Sequence, residues 1–330
     1  MGHLVAFTAI VFAAIAFAEQ KGSKGWSNDI SRARRHDDKS GTKQHHITIE
    51  ENGSTKYDIL AITDMDVAAR APDWQFRAIT RKGTLNLSND KKTAQMDWDL
   101  SSDRDIMSGF SYKGRGMELS DITEYNGHIL SPDDKTGILF EIKNDKVKAL
   151  PWVILNAGPG NTTKGMKTEW LTIKRSFLYA GGHGVEYRDD KGVVFSEDQM
   201  WIKVRSVNWK DAYVKVREYA GIKAPGYMTH EAVQWSDIHN RGTNLLITAD
   251  ERFNTFDIVR VGPLDHPERG FSAFAFVPGT NDEIIVALKS EEIDGRAPES
   301  YVTVFDIHGQ ILMEDQKLGN HYKFEGIFFL

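Results

Sequence analysis

The chain has 330 residues, a formal net charge of −6 and no cysteine. The negative charge argues against a nucleic-acid-binding protein, and the lack of cysteine excludes thiol catalysis and disulfide cross-links. Hydrophobic residues make up 40% of the chain, which is enough for one large domain or two smaller ones. The 28 glycines and the aromatic content of 11% favour many short strands joined by tight turns.

Residues 1–18 have the composition of a secretory signal peptide. The segment is apolar from Leu4 to Phe17 except at one threonine, and it ends in an A-x-A cleavage pattern at Ala18. No lysine or arginine precedes the apolar run, so an uncleaved anchor is the alternative, although the run is short for a membrane span. We expect cleavage, and hence a secreted protein that no membrane anchor holds.

Residues 19–46 are polar and charged and contain almost no aliphatic side chains. Such a segment cannot bury enough apolar surface to fold by itself, so we interpret it as a flexible lead. The remaining residues, 47–330, are then expected to form one domain. Three N-x-S/T sequons, at Asn52, Asn86 and Asn161, are typical of a glycoprotein.

The strand pattern is clearest between residues 117 and 155. Four short segments there have the residues of β-strands: MELSDITEY, HILS, GILFEI and VKALPWVIL. The first two are separated by Asn126-Gly127, which predicts a hairpin turn. Four antiparallel strands in about forty residues correspond to one blade of a β-propeller. Another tight turn is predicted at residues 306–309, between YVTVFD and QILMED.

Two further features concern how the domain is completed. One helix is predicted from Asn208 to Ala220, because apolar residues repeat there at helical spacing and would pack on the outside. The last segment, KFEGIFFL, has no strand after it, so N-terminal strands must close the ring, and YDILAITDMD, GTLNLSN and TAQMDWDL are available. The sequence therefore predicts an all-β fold, a five-bladed β-propeller in which N-terminal strands join the C-terminal strand.

An acid or a serine occurs at the same place in five similar, glycine-flanked strand segments. The spacings between these residues are 49, 62, 41 and 53, which are typical of propeller blades. Five hard oxygens around one channel would suit Ca²⁺ better than Mg²⁺, because a wide oxygen cage fits the larger ion. The alternative is that these side chains are solvated in a wet channel. The five candidate metal ligands are Ser120, Glu169, Glu231, Ser272 and Glu325.

Further acids are predicted to lie beside this channel. Asp64 and Asp66 end a strand, and the Asp-x-Asp spacing places both side chains on one face. Such a pair usually marks a turn or strand end, but with Glu118 and Asp134 it could form an acidic mouth that binds metal or orients water.

Basic residues precede three of the five segments. Arg115 lies between two glycines, which let the backbone approach a ligand, and a guanidinium suits phosphate oxygens. Lys164 and Arg269 occupy similar places in other segments, although exposed bases are common in loops. The chain contains no Walker sequence, no G-x-S-x-G and no H-E-x-x-H.

Several long segments resemble the calcium-activated nucleotidases, the bed-bug-type apyrase family with sand-fly salivary and vertebrate secretory-pathway members. These segments are GRGMELSDI, YNGHILSPDDKTGILFEI, KTEWLTIK, PGYMTHEAVQWSD, FSAFAFVPGTNDEIIVALKSEE and YKFEGIFF. The similarity extends from about Tyr57 to Leu330. The short secreted form of the chain most resembles a salivary apyrase of sand flies.

The resemblance implies a five-bladed propeller with Ca²⁺ in its central channel and a nucleotide site at one mouth, where the five candidate ligands bind the calcium. It implies hydrolysis of ADP and ATP to AMP and orthophosphate and, for a monomer secreted in the saliva of a blood-feeding insect, inhibition of platelet aggregation. A carboxylate would orient the attacking water. The implied catalytic residues are Asp64, Glu118 and Asp134, and the implied substrate-binding residues are Asp66, Arg115, Asp121 and Lys164.

The sequence departs from the family pattern after HEAVQWSD. The family continues with a partner strand that ends in Pro-Arg-Arg and then an acidic loop, whereas here Asn240 leads directly into Arg241. We therefore expect one strand to be missing between Glu231 and Ser272, whose spacing of 41 is the shortest of the four. Two arginines that would reach toward phosphate are expected to be missing with it. Two alternatives stay open: a propeller that binds nucleotide without cleaving it, and a secretory-pathway nucleotidase for UDP and GDP. A calcium lactonase is disfavoured by the motifs.

Overall fold

The computed structural model describes residues 6–8, 10–13, 46–143, 148–174, 177–203, 207–208, 210–224, 227–229, 244–249, 255–293 and 296–330. Nearly all the regular structure of these residues is β-strand, and they include one α-helix. The all-β prediction is confirmed, and the sheets are consistent with a propeller. The number of blades and the closure of the ring stay predictions.

The chain up to Gly182 contains twelve described strands and a 3₁₀ turn over Asp66–Ala69. The strands are β1 (Ala6–Thr8), β2 (Ile10–Ala13), β3 (Ile47–Ile49), β4 (Thr55–Thr63), β5 (Phe76–Leu87), β6 (Ala94–Ser108), β7 (Thr123–Tyr125), β8 (His128–Pro132), β9 (Ile138–Lys143), β10 (Lys148–Ile154), β11 (Thr168–Lys174) and β12 (Phe177–Gly182).

The rest of the chain contains the helix, twelve more described strands and a 3₁₀ turn over Asp198–Met200. These elements are β13 (Tyr187–Arg188), β14 (Val194–Ser196), β15 (Trp201–Lys203), β16 (Val207–Asn208), α1 (Lys210–Tyr219), β17 (Tyr227–Thr229), β18 (Leu245–Ala249), β19 (Phe256–Arg260), β20 (Arg269–Phe276), β21 (Ile284–Glu291), β22 (Glu299–Asp306), β23 (Ile311–Lys317) and β24 (Phe324–Phe329).

The largest sheet joins both ends of the described domain. Its strand order is β24-β4-β5-β6-β10-β9-β8-β7, with β3 paired to β4. The C-terminal β24 is antiparallel to β4, with Phe329 opposite Ile59, so the predicted pairing of the last strand with an N-terminal strand is present. Two four-stranded sheets have the orders β11-β12-β15-β16 and β20-β21-β22-β23.

The predicted hairpin at Asn126-Gly127 is confirmed between β7 and β8. Both residues have positive φ, 51° and 82°, as a two-residue hairpin turn requires. The strand before the turn covers Thr123–Tyr125 only and is shorter than predicted; in the segment before it, the N–H groups of Met117 and Ile122 bind aspartate side chains. Asp133 accepts a hydrogen bond from the Met117 N–H (2.8 Å).

Helix α1 lies close to its predicted position and packs on the sheets. The Tyr213 hydroxyl donates a hydrogen bond to the Gly182 carbonyl (3.2 Å), and buried Val216 belongs to one apolar cluster with Ile247 of β18. The larger apolar clusters lie between sheets, one of them joining β4, β5 and β24 to β20–β22. The core thus holds the ends of the described domain together. Among the described residues, no helix is both long enough and apolar enough to span a membrane.

The region from β17 to β19 is built differently. β18 and β19 are antiparallel, but β17 pairs in parallel with β1, and β18 pairs in parallel with β2. Residues 230–243, which contain Glu231 and the departure near Asn240, lie outside the described residues. So do most of residues 1–46, and the predicted signal peptide and flexible lead therefore stay predictions.

Candidate active site

Three carboxylates converge at the end of β4. Asp64 follows the last residue of β4 and is buried, and its Oδ1 accepts a hydrogen bond from the N–H of Asp66 (2.7 Å). Asp66 has a φ of 48°, and this turn directs both carboxylates to one side of the strand. Carboxylate oxygens of Asp64, Asp66 and Glu118 lie within 4.8 Å of one another. The predicted acidic mouth therefore exists as a cluster, and such a cluster could hold a metal ion.

The cation of Arg115 lies within this cluster. Its Nε donates to Glu118 Oε1 (2.7 Å) and its Nη2 to Asp66 Oδ1 (2.8 Å). Glu118 is fully buried, and burial raises the pKa of its carboxyl although Arg115 and Lys135 act in the opposite direction. Arg115 was predicted to bind phosphate, and the structure brings its guanidinium to the mouth, where it bridges two acids.

A second charged group centres on Asp134. The carboxylate is buried, and its Oδ2 lies 2.7 Å from the Lys135 ammonium and 2.9 Å from that of Lys167. Burial would raise the pKa of Asp134, but the two lysines outweigh burial and lower it to about 2. Asp134 is therefore ionised at neutral pH. Lys135 also lies 3.1 Å from Glu118 Oε2, which joins this group to the carboxylate cluster.

A third charged group surrounds Lys323. Its ammonium contacts Asp66 Oδ2 and Glu325 Oε1, both at 3.0 Å, and Glu292 Oε1 at 3.3 Å. Burial raises the pKa of Glu325 to about 8 despite Lys323, and the nearby charge of Glu169 acts in the same direction. Because Lys323 contacts both Asp66 and Glu325, it links the acidic mouth to one of the candidate metal ligands.

One candidate metal ligand and one candidate catalytic residue have unsatisfied oxygens. Within the described part of the chain, Ser120 Oγ and Asp134 Oδ1 are buried and have no hydrogen-bond partner. A buried polar oxygen without a partner is costly unless a ligand or water satisfies it. Hard oxygens of carboxylates and hydroxyls are the donors that Ca²⁺ prefers, so the residues present fit this ion.

The other candidate ligands are distributed around these groups. Glu169 is buried on β11, and its carboxylate contacts Lys167. Ser272 on β20 donates its hydroxyl hydrogen to the Phe324 carbonyl (2.8 Å), next to Glu325. The predicted ligand role of these residues, like that of Glu231 outside the described residues, stays a prediction.

Two predicted substrate-binding residues have other partners in the structure. Both carboxylate oxygens of Asp121 accept backbone N–H groups, from Ile122 (2.7 Å) and Leu171 (2.6 Å), so this side chain joins two sheets. The Lys164 ammonium lies 4.7 Å from the centre of the Tyr187 ring, and burial lowers its pKa. Lys164 thus lies on an aromatic surface beside the charged groups.

The sequence of the chain matches one family over most of its length. The model of the family described as Apyrase matches residues 64–241 and 239–330. An apyrase of Caenorhabditis elegans is 42% identical over 307 residues, which cover 84% of this chain and 86% of the relative. The chain belongs to the apyrase family.

Two further apyrase-family relatives extend this result. An apyrase of Cimex lectularius is 37% identical over 86% of this chain and 85% of its own length. The soluble calcium-activated nucleotidase 1 of Rattus norvegicus is 39% identical over 84% of this chain and 75% of its own length. The family match is divided in two at residues 239–241, which is where the sequence predicts a missing segment.

Sequence reasoning missed the three lysines of this apyrase-family site. Lys167 and Lys323 each precede a candidate ligand by two residues, in Lys-Thr-Glu169 and Lys-Phe-Glu325. Because side chains two residues apart lie on the same face of a strand, this spacing could have indicated that lysine and glutamate share a site. Lys135 follows Asp134 directly, and only the tertiary structure brings it to Glu118.

Proposed function

We propose that the chain is a calcium-dependent apyrase that hydrolyses ADP and ATP to AMP and orthophosphate. Each cleavage breaks one phosphoanhydride bond and consumes one water. The observation that carries this proposal is the cluster of buried carboxylates interleaved with cationic side chains, since oxygen ligands suit a hard cation and cations suit phosphate. The names of the relatives, apyrase and calcium-activated nucleotidase, support the same reaction.

Asp134 is the best candidate for orienting the attacking water. Its carboxylate is ionised at neutral pH because Lys167 and Lys135 lower its pKa to about 2. Its Oδ1 has no hydrogen-bond partner among the described residues and can accept a hydrogen bond from the attacking water. Asp64 is the alternative, since burial raises the pKa of its carboxyl well above the usual range.

The cations of the mouth are assigned to the phosphates. Arg115 and the nearby lysines can exchange their carboxylate partners for phosphate oxygens when a nucleotide enters. A bound calcium ion would supply positive charge that offsets the negative charge developing on the departing phosphate. The residues proposed to hold the ion are Ser120, Glu169, Glu231, Ser272 and Glu325.

The decisive experiment is phosphate release from ADP in the presence of Ca²⁺, Mg²⁺ or chelator. We expect activity with Ca²⁺ and its loss with chelator. Glu169→Gln should abolish most turnover, whereas Glu314→Gln, a change at an exposed acid on β23, should have no effect. Undiminished calcium-dependent hydrolysis by Glu169→Gln would refute the assignment of Glu169.

A second candidate function is a protein that binds nucleotide without cleaving it. The division of the family match at residues 239–241 favours this candidate, because the missing segment would carry two arginines. A stable complex with ADP and no phosphate released would support it.

The finer assignments belong to the same proposal. We propose a secreted, glycosylated monomer, and the resemblance to insect relatives suggests saliva and inhibition of platelet aggregation. A secretory-pathway enzyme for UDP and GDP is the alternative. The chain is about equally identical to the bed-bug relative (37%) and to the rat relative (39%), so sequence identity does not separate the two roles. Comparing phosphate release from ADP with release from UDP separates the two roles.

A further inference from the structure

An aromatic hairpin lies beside the charged groups of the site. β13 and β14 form this hairpin, in which Tyr187 pairs with Ser196. The rings of Tyr187 and Phe195 are nearly parallel, with an interplanar angle of 15° and centroids 6.1 Å apart. The Tyr187 ring is partly buried, whereas Phe195 is 69% exposed. An exposed phenylalanine thus extends an aromatic surface outward from the domain.

The turn of this hairpin is held by its own hydrogen bonds. Asp189 Oδ1 accepts the N–H groups of Lys191 and Val193, both at 2.9 Å, and Arg188 Nη1 donates to the Gly192 carbonyl (2.9 Å). The His183 ring meets the edge of the Tyr187 ring at 5.8 Å. The exposed ring is therefore presented on a defined turn.

The inner end of this aromatic surface reaches Lys164, one of the cations proposed to bind phosphate. The Lys164 ammonium lies 4.7 Å from the centre of the Tyr187 ring. Burial raises the pKa of the Tyr187 hydroxyl, and the charges of Lys167 and Glu169 act on it as well. Tyr187 therefore lies between the charged groups and the exposed ring of Phe195.

We propose that Phe195 is the stacking platform for the nucleobase, with Tyr187 supporting it from the inner side and Lys164 marking the boundary with the phosphates. This inference rests on the proposed function, because it names the base subsite of the same site. A nucleotide has a polyanionic phosphate end and a flat aromatic base. The surface of the protein likewise begins with cations at Lys164 and ends with the aromatic ring of Phe195, so the phosphates and the base can each meet a matching surface. Stacking on a ring is tolerant of base identity, so this subsite would accept both purine and pyrimidine nucleotides.

The test compares a substrate that has a base with one that has none. For Phe195→Ala we expect KM for ADP to rise about 5- to 100-fold, the range for loss of one base–aromatic stack, with kcat nearly unchanged. Hydrolysis of inorganic tripolyphosphate should be unaffected, and Phe195→Trp should restore the KM for ADP. The matched control is Phe177→Ala, because Phe177 is 51% exposed and begins β12, at the opposite end of that strand from His183.

The outcomes separate this inference from the proposed function. An equal rise in KM for ADP and tripolyphosphate, or an unchanged KM for ADP, would overturn the platform. If the wild-type chain releases no phosphate, the proposed function fails, and calorimetric binding of ADP takes the place of KM. In that case weaker ADP binding by Phe195→Ala supports the platform, and equal or absent binding by both proteins overturns it.

Discussion

The sheet β20–β23 and the region β17–β19 are neighbours in the chain but differ in which strands pair and in which direction. In the first, four strands pair antiparallel in chain order. In the second, β18 and β19 form one antiparallel pair, and residues of β1 and β2 pair in parallel with β17 and β18. The shortest spacing between candidate ligands and the division of the family match both fall in the second region.

This difference indicates which parts of the molecule support the site. The described charged side chains come from β11 and β24, from the residues just before these two strands, and from the loops that follow β4, precede β7 and join β8 to β9. Ser272 of β20 is tied to the neighbouring sheet through the Phe324 carbonyl, and Ser300 accepts the Phe324 N–H (2.8 Å). Among the described residues, the acidic mouth is therefore formed by side chains outside β17–β19, and the expected contribution of that region is Glu231.

The largest expected effect tests whether the catalytic carboxylate lies outside the β17–β19 region. Asp134→Asn should lower kcat for ADP by about 10²- to 10⁴-fold, because a neutral amide removes the ionised carboxylate that would orient the attacking water. The measurement is phosphate release at saturating Ca²⁺. The exposed Asp97→Asn is the control, and a loss of less than about threefold in Asp134→Asn would assign the water to another carboxylate such as Asp64.

The next prediction breaks a buried ion pair between β5 and β6, outside the β17–β19 region. Arg81 is fully buried, donates to both oxygens of Asp103 (2.6 Å each) and to the Leu318 carbonyl (2.7 Å), and lies 5.0 Å from the Phe324 ring centre. Asp103→Ala should cost about 3–5 kcal/mol of unfolding free energy, because it leaves a buried charge unpaired. Chemical denaturation measures this, and a cost below about 1 kcal/mol would show that Arg81 finds another partner.

A matched pair of leucines compares the two regions directly. Leu288 of β21 and Leu246 of β18 are both fully buried. Leu288→Ala should cost about 2–5 kcal/mol of unfolding free energy. Leu246→Ala should lie near the lower end of this range, because the sheet around β18 has three described strands rather than four and relaxes more easily into the cavity. Equal costs in chemical denaturation would mean that the junction where Leu246 packs against β20–β22 is as tightly packed as the core around Leu288.

The smallest expected effect concerns pH in the presence of chelator. The pKa of Glu325 is raised from 4.5 to about 8 in the folded protein. A raised carboxyl pKa contributes stability that is fully present below pH 4.5 and is lost as pH rises towards 8. The melting temperature should therefore fall between pH 5 and pH 8, and Glu325→Gln should flatten this slope. An unchanged slope in the variant would assign it to other groups.

Local patterns predicted much of the fold. The Asn126-Gly127 turn, the helical spacing around α1 and the need to pair KFEGIFFL could all be deduced from short segments. The parallel pairing of β1 with β17 could not, because it joins residues more than two hundred positions apart and because β1 lies in the segment predicted to be cleaved as a signal peptide. The sequence also identified Asp64, Asp66 and Glu118, since acids clustered at strand ends are conspicuous. It did not predict that Asp121 binds two backbone N–H groups, because this depends on how two sheets meet.

The pairing of β24 with β4 has a consequence for the order of folding. β4 is made early in synthesis, but its partner is the last strand of the chain. Until β24 has been synthesised and has left the ribosome, the edge of β4 that pairs with it presents unpaired backbone groups to other chains. Nascent chains are therefore exposed to aggregation for nearly the whole time of translation, and any stop codon before Phe324 would make that exposure permanent.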